Sequence, residues 1–242
     1  MAVKIIESGA NAPEYNMQRD LELLTALDST PQILLHFYDW EGPCATYGYF
    51  TQPAKLLRAE GLEKHGLNIA RRPTGGGIIF HQYDLAFSLL LSAAHPRFSV
   101  NTLDNYRFVN TAVAEAVYKV MGLARRPELL SEEDCACSEI PNGQFCMAKP
   151  TVYDLVIDGR KVAGAAQRRT KKGYLHQGSI SILLPPREFL DDVLMPASGI
   201  AGAMQQSSYP LIADFGGREA LDEMRGLLKS ALVESVDTYG IQ

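Results

Sequence analysis

The chain has 242 residues, 46% of them hydrophobic, a length and composition that suit one large domain with a sizeable core. Its formal net charge is −5, and its 23 Lys and Arg are spread along the chain, so the massed positive face of a nucleic-acid binder is missing. No apolar run approaches the roughly 20 residues of a membrane helix, and the start has no basic segment leading into an apolar one. These features predict a cytoplasmic protein with no membrane or nucleic-acid partner. Its four cysteines, Cys44, Cys135, Cys137 and Cys146, are then expected to be reduced. Cys135 and Cys137 form a C-x-C pair, but no second Cys or His pair stands at ligand spacing, so no metal site is expected.

Along the chain, Met17, Leu21, Leu24 and Leu27 recur at helical spacing, which predicts a helix over 14–27. Strands are predicted over 32–38 and 44–50, separated by Asp39-Trp40-Glu41-Gly42-Pro43, a turn-forming run. Segments 68–72, 77–81 and 83–92 read as further strands. Residues 102–121 read as a long amphipathic helix with Ala112, Val113, Ala116, Val117 and Val120 as its apolar stripe. Residues 128–149 are polar and aperiodic, and a loop that long in a compact domain is usually functional or disordered. Asp158-Gly159 between 151–157 and 161–166 is a hairpin signal. A strand over 179–184 and a closing helix over 218–239 complete the pattern. Strands joined mostly by short turns predict an α+β fold, a mixed and largely antiparallel sheet packed by helices. The strict alternation of a doubly wound nucleotide fold is missing.

Three segments could carry chemistry. The first is Arg71-Arg72-Pro73-Thr74-Gly75-Gly76-Gly77, followed by Phe80-His81. Adjacent glycines let bare N–H groups approach an anionic or carbonyl oxygen, and the two arginines add positive charge. No Gly-Lys-Ser/Thr follows, so this is not a P-loop. The second is Lys161-Val162-Ala163-Gly164-Ala165-Ala166-Gln167, a lysine just past a tight turn in a run of small residues that leave room for a ligand. By itself this stretch reads more readily as an exposed hairpin lysine, since most lysines are solvated. The third is Cys146, which a nearby cation such as Lys161 or Lys149 could activate as a nucleophile; most lone cysteines are inert. No His spacing suits a metal, and no G-x-S-x-G elbow is present.

In this order, the segments resemble the lipoate–protein ligase and octanoyltransferase family, which belongs with the biotin–protein ligases. The resemblance runs from about Asn16 to Leu184 and includes Asn16-Met17-Gln18-Arg19-Asp20, Trp40 with Pro43, and Gly48-Tyr49-Phe50-Thr51-Gln52. It implies a biotin/lipoate protein ligase-like catalytic domain over 1–242, without the C-terminal accessory domain of many ligases. It implies an enzyme that places a lipoyl or octanoyl group on one lysine of a lipoyl carrier domain, from a 2-oxoacid dehydrogenase or the glycine cleavage H protein. Lys161 would hold the acyl carbonyl. Arg71, Arg72, Gly75, Gly76, Gly77, His81, Gly164, Ala165 and His176 would bind substrate.

The donor stays open. Ligases activate free lipoate with ATP and Mg2+ as an acyl-adenylate, with no permanently bound cofactor. One transferase branch takes octanoate from acyl carrier protein onto a cysteine, and Cys146-Met147-Ala148-Lys149-Pro150 resembles its cysteine loop. That branch is favoured, with the ligase and a non-catalytic carrier-binding paralogue as alternatives. A biotin–protein ligase is disfavoured, because its Gly-Arg-Gly-Arg type loop is missing. Two departures stand out: His176-Gln177-Gly178 where members read Gln-His-Gly or His-His-Gly, and Gln82 where Asp or Glu is frequent.

Overall fold

The computed structural model of the chain describes residues 3–133 and 151–241. In chain order its strands are β1 (Lys4–Asn11), β2 (Ile33–Trp40), β3 (Cys44–Tyr47), β4 (Asn68–Arg71), β5 (Ile78–Phe80), β6 (Asp84–Ser92), β7 (Glu128–Leu129), β8 (Leu155–Ile157), β9 (Arg160–Arg169) and β10 (Gly173–Ser181). The helices are α1 (Pro13–Ala26), α2 (Ala59–Lys64), α3 (Thr102–Met121), α4 (Arg187–Val193), α5 (Ile200–Ser207) and α6 (Arg218–Ile241). Seven strands make one sheet in the order β1-β2-β6-β10-β9-β8-β7, and β4-β3-β5 make a second, smaller one. In the large sheet only β1 and β2 run parallel; the other neighbours are antiparallel. The fold is the expected α+β arrangement.

Helix α3 forms where periodicity predicts it. Asn101 accepts the Leu103 N–H at 3.1 Å, and Gly122 ends the helix in the left-handed region at φ 56°. Ala112, Val113, Ala116 and Val117 are buried in the main core with Leu228, Leu232 and Val236 of α6. The β8–β9 hairpin turns at Asp158 (φ 50°) and Gly159 (φ 70°), the signs that a two-residue primed turn requires.

Several boundaries move. The strand predicted over 44–50 stops at Tyr47, where Gly48 turns onto the glycine loop. The strand predicted over 151–157 begins only at Leu155, since Tyr153 takes φ 70° and breaks the extended run. The strand read over 179–184 lies at Gly173–Ser181 instead. Its polar sequence hides it, because its polar side chains find buried partners across the sheet. Strand β1 and helices α2, α4 and α5 carry no clear periodicity and are not predicted by the sequence.

Backbone proximity constrains the junction of the small sheet. A Cβ on Gly48 would lie 1.9 Å from the Gly76 carbonyl oxygen, whereas one on Gly75 meets nothing within 4 Å. Gly48→Ala is therefore expected to cost roughly 1–3 kcal/mol by overpacking against backbone. Gly75→Ala should be near neutral for stability. Thermal melts of the two variants check this; equal melting points would refute the close approach.

Candidate active site

The glycine turn is built on a buried cation. The Arg72 side chain is only 3% exposed. Its Nη1 donates to the Thr46 carbonyl at 2.9 Å and to Thr46 Oγ1 at 2.8 Å. Its Nη2 donates to the carbonyls of Gly75 at 3.2 Å and Gly77 at 2.7 Å. Arg72, expected to bind substrate, shapes the turn from beneath, with both Nη atoms bonded to Thr46 and to the turn carbonyls. Arg71 differs, being exposed on β4 with its guanidinium 4.8 Å from the Tyr49 ring centre. Further bonds knit the turn to the segment after β3: Gly48 N–H to Gly77 O, Tyr49 N–H to Thr74 O, and Thr51 Oγ1 to Gly76 O. Gly76 takes φ 87°, a conformation that favours glycine. A groove of about 460 Å3 lined by Met17, Tyr49, Arg71 and Pro73 borders the turn, and one of about 220 Å3 lined by Phe50, Lys55, Gly76 and Gly77 lies beside it. The first falls within the roughly 300–1,000 Å3 of small-molecule sites.

Thr74 fastens the turn to the large sheet. Its hydroxyl donates to Gln177 Oε1 at 2.6 Å, and Gln177 Nε2 donates to Asp20 Oδ2 at 2.6 Å. Asp20 is fully buried and also meets Ser88 Oγ at 2.6 Å and His36 Nδ1 at 2.8 Å. This network is not predicted by the sequence; its only local sign is the unusual Gln177.

His176 lies elsewhere. Side chains alternate across a strand, so Gln177 faces the turn and His176 faces α3. Its ring stacks near Phe87 and Tyr106, at centroid distances of 5.9 and 5.4 Å. Burial holds the ring neutral and drives its pKa down to about 3. His176, expected to bind substrate, is placed within the molecule, and the reversed His-Gln order gives the turn an amide instead of an imidazole.

Lys161 is buried too, at 6% exposure, with its ammonium 2.7 Å from Asp154 Oδ2. Asp154 Oδ1 accepts the Tyr106 hydroxyl at 2.5 Å, and that hydroxyl in turn accepts the Ala165 N–H at 3.2 Å. Burial first, and then the Asp154 charge, push the Tyr106 pKa well up, so the phenol stays a donor. Tyr106 and Asp154 are supporting residues that the sequence does not single out. A bulge between the Leu155 and Val156 pairings sets Lys161 opposite Val156, while Thr74 meets Gln177 further along the hairpin. The turn and the lysine share the β9–β10 hairpin: Gln177 pairs with Ala166, five residues and about 16 Å along β9 from Lys161. Gly164 pairs with Ser179.

His81 is held on both ring nitrogens, by Thr46 Oγ1 and Asp84 Oδ2, each at 2.8 Å. Its ring stacks on Trp40 at 4.2 Å, and the pair borders a cavity of about 590 Å3 closed by Phe215, Arg218, Arg225 and Lys229. Cys146, Cys135 and Cys137 lie outside the described residues. Among the described residues, no three His, Cys, Asp or Glu side chains cluster to hold a metal ion, and no helix is long and apolar enough to cross a membrane.

The mixed sheet with its packed helices has the fold of lipoate–protein ligases. The chain superimposes on a lipoate-protein ligase A bound with ATP at a TM-score of 0.70, with 21% identity, covering 98% of this chain and 86% of that one. A putative lipoate protein ligase from T. acidophilum with bound lipoic acid gives a TM-score of 0.68 at 21% identity, with the same coverage of both chains. Residues 12–207 match the model of the lipoyl protein ligase A/B catalytic domain, and the chain belongs to that family of enzymes. Among its relatives, the octanoyltransferase LipM of Halalkalibacterium halodurans is 32% identical over 206 residues, 84% of this chain and 74% of that protein. LipM of Bacillus subtilis is 31% identical over 207 residues, again 84% and 74%.

The neutral His176 has a consequence for acid stability. Its unfolded-state pKa of 6.5 exceeds the folded value of about 3, so the unfolded chain binds the extra proton between those limits. The stability this group contributes is complete above pH 6.5 and is lost as pH falls toward 3, by up to about 1.4 kcal/mol per pH unit. His176→Phe should flatten that loss by one proton. Urea melts across this window measure the slope, and an unchanged slope would contradict the buried neutral ring.

Proposed function

We propose that the chain transfers an octanoyl group from acyl carrier protein, by way of a thioester on Cys146, to one lysine of a lipoyl carrier domain. Such domains occur in 2-oxoacid dehydrogenases and as the glycine cleavage H protein. The likeness to the LipM octanoyltransferases over 84% of the chain carries the reading. The thioester itself rests on the sequence around Cys146, which resembles the transferase cysteine loop.

The chemistry asks three things of the protein. The acyl chain must be buried, and side chains such as Met17, Leu21, Tyr49 and Ile69 in the groove beside the glycine turn supply apolar surface worth roughly 0.8 kcal/mol per methylene. Negative charge grows on the carbonyl oxygen during attack, and a fixed donor there lowers the barrier by about 3 kcal/mol. Lys161 is that donor. In the structure its ammonium rests on Asp154, and its four-carbon stem lets it turn from that carboxylate to the acyl carbonyl once an acyl group arrives. Finally, the acyl group must stay activated. A thioester achieves this without ATP, and amide formation releases the Cys146 thiol.

Octanoyl–acyl carrier protein and an apo lipoyl domain are expected to give a carrier one octanoyl group heavier, and an octanoyl adduct on Cys146 by mass spectrometry. Cys146→Ser should abolish both. Lys161→Ala should lower kcat about 100-fold or more. Full transfer by the serine variant would defeat the covalent route. Mass gain only with lipoate and ATP would assign ligase chemistry through an adenylate, and none under either condition would assign a carrier-binding protein without catalysis.

A further inference from the structure

A pocket of about 30 Å3 lies on the glycine-turn side of the sheet, lined by Ile79, Phe80, Asp84, Ser179, Met204 and Ser208 among others. Two of its lining groups are buried and incompletely bonded. Asp84 is 5% exposed and Ser208 1% exposed. Asp84 Oδ1 and Ser208 Oγ have no hydrogen-bond partner among the described residues. The other Asp84 oxygen is occupied, by His81 Nδ1 at 2.8 Å and Ser179 Oγ at 2.6 Å. A buried carboxylate oxygen left open beside apolar side chains is unfavourable unless a donor meets it.

We propose that this pocket seats the primary ammonium of the acceptor lysine, with Asp84 Oδ1 taking its proton and Ser208 Oγ as second acceptor. This rests on the acyl-enzyme reading above. Volume limits the occupant: a single water needs roughly 10–15 Å3, so about 30 Å3 admits the tip of one ammonium and excludes any ring. The chemistry selects a cation, since a carboxylate and a hydroxyl converge there. Position fits as well. Ser208 bridges Lys161 backbone to backbone, so the pocket abuts the strand that carries the proposed carbonyl donor. Asp154 pairs with the Lys161 ammonium at 2.7 Å, which lowers the repulsion a second ammonium would meet. Partly exposed Tyr83, Leu184 and Pro185 at the rim lead from the surface to the buried pair.

The step balances. The C–N bond forms as the C–S bond to Cys146 breaks. Of the three ammonium protons, one remains on the amide nitrogen, one passes through Asp84 Oδ1 to solvent, and one goes to the departing thiolate.

The test separates loading from discharge. Enzyme is loaded with octanoyl–acyl carrier protein, the adduct on Cys146 is weighed, and its single-turnover discharge to an apo lipoyl domain is followed across the neutral to alkaline range. Asp84→Asn is expected to load but to discharge about 100-fold more slowly, with the acid limb of the wild-type pH profile lost. Ser208→Ala, which leaves the His81 contacts intact, should load and discharge roughly tenfold more slowly. Wild-type discharge in both variants would mean the pocket holds only water, and parallel loss of loading and discharge in both would mean a structural role; either overturns the inference. A wild type that never loads defeats the acyl-enzyme reading instead. The seat is then tested with lipoate and ATP, where both variants must raise the KM for the apo domain while pyrophosphate release persists, and unchanged KM overturns it.

Discussion

The site depends on one buried guanidinium. Three adjacent glycines have no side chains to specify a shape, and left alone they would sample many conformations. Arg72 removes that freedom by donating to the Gly75 and Gly77 carbonyls and to Thr46 in β3. Charge-assisted hydrogen bonds of this kind are the stronger ones, and the planar fork of arginine reaches several acceptors at once. The turn is thereby tied to the small sheet, and Gly48 allows the two backbones to meet.

A second polar device ties the turn to the large sheet. Asp20 on α1, His36 on β2, Ser88 on β6 and Gln177 on β10 form a buried network ending at Thr74. Four elements distant in sequence must be in place before these partners exist. Satisfied networks of this type specify register, because a slip of one residue would bury each polar group without a partner. The same alternation sends His176 to the opposite face, among Phe87 and Tyr106, where burial keeps it neutral.

The hairpin β9–β10 therefore works with both faces. One carries the turn and the pocket at Asp84 and Ser208. The other packs His176 against Phe87 and Tyr106, and the bulge beside Lys161 sets its ammonium against Asp154.

The sequence by itself determined the α+β class, helix α3, the hairpin at Asp158-Gly159 and the two segments that hold the glycine turn and Lys161. These rest on local signals: hydrophobic period, turn chemistry and short motifs, all decided by neighbouring residues. Strand β10 was not legible, because its polar residues look like loop until Asp20, Asp84 and Tyr106 stand opposite them. Tertiary structure alone decided that Arg72 turns inward, that Gln177 rather than His176 meets the turn, and that Lys161 rests on Asp154. The reason is physical. Whether a polar side chain serves the protein or a ligand depends on which partners the fold brings within hydrogen-bond reach, and those partners lie up to 157 residues away.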